Sequence, residues 1–277
     1  VSTRLASAAV GLPILLGAVW FGSFWFAGIV FVAAAIAVLE LTRLSRLWGD
    51  NFHPAFPLIL TMLMLVPGLS RALGRSPEGN ALFLDIAAIV LCPLAGWVLG
   101  SGRKLRMFDS LPVMILRIGI YLGLSLYFAL QIRFLEDGRE WTLLLLLVVF
   151  ATDTSAYLVG RAIGRTPLAP TISPNKTREG AVAGLVGAVV ASVLANNLLG
   201  LDAIMWEAAA LGVIIGVLGQ LGDLAESRLK RKAEVKDSGW LIPGHGGILD
   251  RLDSILFALP ATHLFIIWEV QQKGLLS

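Results

Sequence analysis

AIMWEAAALGVIIGVLGQLGDLAESRLKRKAEVKDSGWLIPGHGGILDRLDSILFALPATHLFIIWE, residues 203–269, sets two apolar runs, 203–222 and 252–269, on either side of a densely charged segment. Each run approaches the roughly 20 residues that a helix needs to cross the hydrocarbon core of a bilayer. The segment between them places Lys230, Arg231, Lys236 and Arg251 beside Asp237, Asp250 and Asp253, with Pro243-Gly244-His245-Gly246-Gly247 as a flexible turn. A plain surface loop needs no such mixture. A site that handles phosphates through a divalent metal does, because cations and exposed backbone N–H groups neutralise phosphate oxygens while carboxylates hold the metal.

The same alternation extends outward over the whole chain. Of its 277 residues, 57% are hydrophobic and only 15% charged, against roughly 25% charged in an ordinary soluble domain. Further apolar runs fall at 6–21, 23–39, 54–70, 80–100, 111–132, 141–158 and 180–200. The expected fold is an all-α integral membrane protein, a polytopic bundle of about nine transmembrane helices with a polar cavity open to the cytoplasmic face. The first run resembles a signal peptide, but the second follows directly after Phe21-Gly22-Ser23, so the two are expected to stay as a helical hairpin. About four helices are expected in an N-terminal region, 1–110, and the catalytic region is expected at 111–277 with its signature segment at 223–253. The sole cysteine, Cys92, lies in an apolar run, which excludes an intrachain disulfide and fits a packed hydrophobe.

Positive charge fixes the expected orientation, because short loops rich in lysine and arginine stay cytoplasmic. With the N-terminus inside, the inner segments collect Arg4, then Arg43 and Arg46, then Arg103, Lys104 and Arg106, then Arg161, Arg165, Lys176 and Arg178, then the cations of 223–253. The outer segments hold only Arg71, Arg75, Arg133, Arg139 and Lys273. Both long polar segments, 159–179 and 223–251, are therefore expected at the cytoplasmic face of the inner membrane. A net charge of +3 says little alone, but its concentration on one face suits an anionic leaflet and anionic substrates. Trp20, Trp25, Trp48, Trp97, Trp141, Trp206 and Trp268 stand near run ends, as interfacial anchors do.

A carboxylate at membrane depth is costly unless it is paired, wet or bound to a cation, which makes Asp223 and Asp250 candidates for a functional role. Asp253 lies three residues on, nearly on the same helix face as Asp250, where helix capping is the plain alternative. The glycines around His245 permit close backbone approach to an anion, although an isolated histidine in a turn is as often a simple hydrogen-bonding residue. In the other polar segment, Asp153 and Tyr157 sit within the sixth apolar run, and Ser173, Lys176, Thr177 and Arg178 offer hydroxyl and cationic groups suited to phosphates or a nucleotide. An ordinary positive loop ending in a helix cap is the plain reading there. Asp85 and Arg117 also fall inside runs, the first near an end and the second able to snorkel.

The spacing Ser227-x-Leu229-Lys230-Arg231-x4-Lys236-Asp237-x-Gly239-x2-Ile242-Pro243-x-His245-Gly246-Gly247-Ile248-x-Asp250-Arg251-Leu252-Asp253 resembles, without departure, the signature of the phosphatidate cytidylyltransferase (CDP-diacylglycerol synthase) family. Asp153-x2-Ala156-Tyr157 and Ile172-Ser173-Pro174-x-Lys176-Thr177-x-Glu179-Gly180 are similar to that family as well. The resemblance implies transfer of CMP from CTP to phosphatidic acid, giving CDP-diacylglycerol and pyrophosphate, with Mg²⁺ required and room for a second cation. It implies Asp223 and Asp250 as metal ligands, and Lys230, Arg231, Lys236, His245 and Arg251 as further catalytic groups around the leaving pyrophosphate. Substrate binding is expected at Asp153, Ser173, Lys176, Thr177, Arg178, Ser227, Asp237, Gly246, Gly247 and Asp253. The lipid bilayer is the expected partner, a homodimer is what the resemblance suggests, and no nucleic acid is expected. A proton-coupled transporter would also carry intramembrane acids, yet would not need so many cations in one loop. A CDP-alcohol phosphotransferase would need aspartates at helical spacing after Asp-Gly, which this chain lacks.

Overall fold

A computed structural model describes residues 2–49, 53–72, 111–240 and 246–276. The helices are α1 (Ser2–Phe21), α2 (Ser23–Leu47), α3 (Ala55–Ala72), α4 (Leu111–Gly119), a π-helical turn (Ile120–Leu124), α5 (Ser125–Arg133), α6 (Gly138–Ile163), α7 (Arg178–Leu198), α8 (Met205–Lys232) and α9 (Leu249–Leu276). Every apolar run of the sequence falls on one of them except 80–100, which lies outside the described residues, as do Asp85, Cys92, Trp97, Arg103, Lys104, Arg106 and His245. Among the described residues, six helices are long and apolar enough to cross a membrane: Phe24–Leu47, Ile115–Arg133, Gly138–Ile163, Arg178–Leu198, Met205–Lys232 and Leu249–Glu269. Ala9–Phe21 and Ala55–Leu69 are apolar but shorter. This is an all-α membrane protein with, among the described residues, one small exception, an antiparallel ribbon of β1 (Pro167–Ala169) and β2 (Ser173–Thr177) in register Pro167↔Thr177 and Ala169↔Ser173.

The helices outrun the apolar segments at the charged end. α8 continues past 222 to Lys232, so Asp223, Ser227, Lys230 and Arg231 stand on a helix and not in a loop. Its inward face explains this: Ala225 and Leu229 are buried among apolar residues, and Glu226 pairs with Lys230 one turn on. α9 likewise starts at Leu249, which places Asp250, Arg251 and Asp253 in its first turns.

Among the described residues, two apolar clusters hold the bundle. One joins Leu41 and Leu44 of α2, Leu65 of α3 and Leu122 of the π turn to Leu229 of α8 and Leu249, Leu256 and Phe257 of α9. The other gathers Phe128, Trp141, Leu144, Leu211, Ile215 and Ile266. Trp141 was expected at an interface, but it is 3% exposed and meets Phe265 edge-on at 6.4 Å between ring centroids. Trp20, Trp25 and Trp206 do remain exposed, all at the end of the bundle opposite the charged segments. Between helices, apolar burial adds little over contact with lipid tails, so close backbone approach matters more. Gly222 permits such an approach, since a Cβ there would strike the carbonyl oxygen of Asp253. That crossing sets Asp223 beside Asp253.

Candidate active site

The C-terminal end of α6, the β ribbon, the start of α7, the end of α8 and the start of α9 share one end of the bundle, as antiparallel neighbours joined by short connections must. There the two polar segments meet. Lys176 of β2 forms an ion pair with Asp223 of α8, both half-buried, and Ser227 one turn later lies 3.4 Å from Asp223 Oδ1. Asp153 of α6 interacts electrostatically with Asp223, Lys176 and Arg251, and Asp253 interacts with both Asp223 and Asp153. Three acids, a lysine and an arginine from four elements thus form one group that keeps some access to solvent.

The ribbon is fixed from both sides. Arg231 Nε of α8 donates to the carbonyl oxygen of Ile172 at 3.2 Å, and Arg178 N donates to that of Thr166 at 2.8 Å. Thr177 caps α7, its hydroxyl oxygen accepting from Gly180 N at 3.1 Å, so the plain reading of this threonine is realised. Glu179 accepts from the backbone N–H groups of Arg165 and Thr166 at 3.2 Å each. Ser173 begins β2, half-buried, while Arg178, Lys236, Asp237 and Arg251 are exposed at the same end. Tyr157, also exposed, accepts from Arg161 at 3.1 Å.

The second group is closed. Asp250 Oδ2 accepts from Ser238 N at 2.9 Å and Gly247 N at 2.8 Å and lies 2.9 Å from Ser238 Oγ, while Oδ1 accepts from Lys230 Nζ at 2.6 Å. The same Lys230 Nζ lies 2.5 Å from Glu226, whose side chain is fully buried. Gly246 adopts a left-handed φ of +80°, which turns the chain back toward Asp250 at no steric cost to a residue without Cβ. Lys230 and the Gly247 N–H, expected around substrate phosphate, both engage Asp250 here, because a buried carboxylate must be hydrogen-bonded.

The closed group contains an acid that motif reading passed over. Glu40 of α2, 7% exposed, accepts from Ile248 N at 3.0 Å and Leu249 N at 2.9 Å, and lies 3.0 Å from Ser238 Oγ. Lys232 lies 4.4 Å from the Trp48 ring centroid and ties the ends of α8 and α2 together beside it. A single acid ending the apolar run 23–39 was the available signal.

No three histidine, cysteine or acidic side chains among the described residues gather closely enough to enclose a metal ion. A protein cage is not what Mg²⁺ requires, since it is usually held by one or two carboxylates together with substrate phosphates and water. Asp223, half-exposed and flanked by acids, fits that kind of shared ion. Asp250 fits less well. With three contacts on Oδ2 and one on Oδ1, it keeps about one acceptor site.

A sequence profile described as the Cytidylyltransferase family matches residues 2–268. Among curated proteins, one from Bacillus subtilis (strain 168) is 32% identical over 267 residues, covering 95% of this chain and 96% of its own length. Another, from Staphylococcus aureus (strain COL), is 41% identical over 275 residues, covering 96% and 97% respectively. A third, from Staphylococcus haemolyticus (strain JCSC1435), is 31% identical over 264 residues, covering 95% and 98%. Each of the three is named phosphatidate cytidylyltransferase.

Proposed function

The chain belongs to the cytidylyltransferase family, and from that membership we propose that it transfers CMP from CTP to phosphatidate at the cytoplasmic face of the membrane. The observation that carries this reading is the pairing of Lys176 with Asp223, which joins the two charged segments at one end of membrane-spanning helices. A soluble nucleotide and a lipid headgroup can both reach such a place. The acyl chains stay in the bilayer.

The phosphate monoester of phosphatidate is already an anion, so its oxygen attacks the α-phosphorus of CTP with no need for a base. A new O–P bond forms, the bond between the α-phosphorus and the bridging oxygen to the β-phosphate breaks, and that electron pair leaves with pyrophosphate. The enzyme's task is to hold two anions in line and offset their repulsion. Arg178, Lys236 and Arg251 are the exposed cations suited to the triphosphate and the leaving pyrophosphate. Lys176 can exchange Asp223 for a phosphate oxygen because both partners are only half-buried. Mg²⁺ would be held by Asp223 with the remaining acceptor site of Asp250, and would supply positive charge to the triphosphate. Asp153 and Asp253 are the further carboxylates available to a second cation.

Purified protein, reconstituted with phosphatidate and given Mg²⁺ and CTP labelled at the α-phosphate, should move label into extractable lipid. CTP does not cross bilayers. Vesicles with the cytoplasmic face outward should therefore be active, and sealed vesicles of the opposite orientation only after permeabilisation. No labelled lipid under any of these conditions sinks the reading, and activity confined to the opposite orientation sinks its topology.

A further inference from the structure

We infer that Glu40 is a positioning residue for this transfer: it fixes the start of α9, and with it Asp250, Arg251 and Asp253, against Asp223. The inference rests on the reaction proposed above. A helix begins with N–H groups that have no partner within the helix, usually satisfied by a Ser, Thr, Asp or Asn at the N-cap. At α9 the N-cap position is Ile248, whose carbonyl accepts the first helical hydrogen bonds from Arg251 and Leu252 at 2.9 and 3.1 Å. Its side chain cannot cap.

Glu40 takes over that role from another helix, accepting from the N–H groups of both Ile248 and Leu249. Its negative charge is also favourable at a helix N-terminus. The fit is close: a Cβ on Gly239 or on Gly247 would run into the Glu40 carboxylate. Ser238 Oγ lies between Glu40 and Asp250, 3.0 Å from one and 2.9 Å from the other, so its hydroxyl can donate its one proton to either acid. Glu40 therefore acts on the site through Asp250 and the α9 backbone. Three charged residues of the site follow within four positions of the amides it holds. A misplacement of about 1 Å at reacting groups can cost on the order of a hundredfold in rate.

Glu40→Gln keeps the volume but turns an amide NH2 toward N–H donors. In the reconstituted protein it should lower kcat roughly ten- to a hundredfold while the KM for CTP stays within about threefold. Hydrogen–deuterium exchange, measured on the same preparations without substrate, should accelerate in peptides covering 246–252 and stay unchanged in those of α6 and α7. Should Glu40→Gln not fold, Gly239→Ala, whose methyl group would press on the same carboxylate, is expected to give the same kcat-selective loss and the same local exchange. Wild-type kcat in the folded variant, or a loss of kcat without faster exchange at 246–252, overturns the inference. A wild-type protein that transfers no CMP sinks the parent reading, and the inference with it. A working wild type with an unimpaired variant removes Glu40 alone.

Discussion

Asp250 and Asp223 are aspartates of one charged segment, yet their surroundings differ in kind. Asp250 is enclosed by Lys230, Gly247 N–H and both donors of Ser238. Asp223 has one half-buried lysine, a hydroxyl at 3.4 Å and two further acids within electrostatic range. An ionised carboxylate offers about four acceptor sites, and Asp250 has nearly filled them while Asp223 has not. The difference teaches that a dense motif need not be dense in chemistry. Part of it builds the frame, and the part left open can exchange its partners for a substrate.

The largest effect should come from breaking the closed group. Lys230→Ala leaves the buried carboxylates of Glu226 and Asp250 facing each other without their shared cation. Removing one partner of a buried ion pair costs roughly 3 to 5 kcal/mol, and the variant should unfold well below the wild type in a detergent thermal scan. If Lys230→Ala keeps the wild-type midpoint and loses only affinity for CTP, the lysine belongs to the substrate site and the division between the two groups fails.

The open group should respond in the opposite way. Asp223→Asn preserves volume and removes a charge that supports little of the fold, so the melting point should stay near that of the wild type. Transfer should fall at least ~100-fold, the scale of losing about 3 kcal/mol of transition-state charge stabilisation. Near wild-type incorporation of label would take Asp223 out of the site. A large drop in melting point would place it with the framework of the closed group.

How far the sequence carried this picture depended on the range of the interaction. Apolar runs are local, and each that falls on described residues became a helix. The meeting of 159–179 with 223–251 was foreseen as a shared membrane face and a common cavity, but not as a particular contact, and Lys176 and Asp223 touch. The extension of α8 to Lys232 was hidden because most residues past 222 are polar, and the inward face of Ala225, Glu226 and Leu229 shows itself only once they are buried. Glu40 was least legible. It meets Ser238, Ile248 and Leu249 across some two hundred residues of chain, and no local pattern encodes such a contact. Besides the single acid at the end of run 23–39, Ile248 at the N-cap is a sign that an acceptor has to come from elsewhere.

The smallest effect is also the sharpest test of whether the open group extends onto the ribbon. Lys176 is bonded to Asp223, and Arg178 is exposed at the start of α7 on the same face. If both meet the triphosphate, Lys176→Ala and Arg178→Ala should each lower kcat/KM for CTP about ten- to a hundredfold, the worth of one charge-assisted hydrogen bond at roughly 1.5 to 3 kcal/mol. Stability should barely move, because a half-exposed ion pair contributes at most about 1 kcal/mol. Arg139 provides the control: it pairs with Glu140 at the other end of α6, far along the chain from either charged segment. Arg139→Ala should leave steady-state kinetics unchanged. A loss in Lys176→Ala without one in Arg178→Ala would confine the open group to the immediate neighbours of Asp223. Equal behaviour of all three variants would reduce the ribbon to a scaffold and leave the chemistry to α8 and α9.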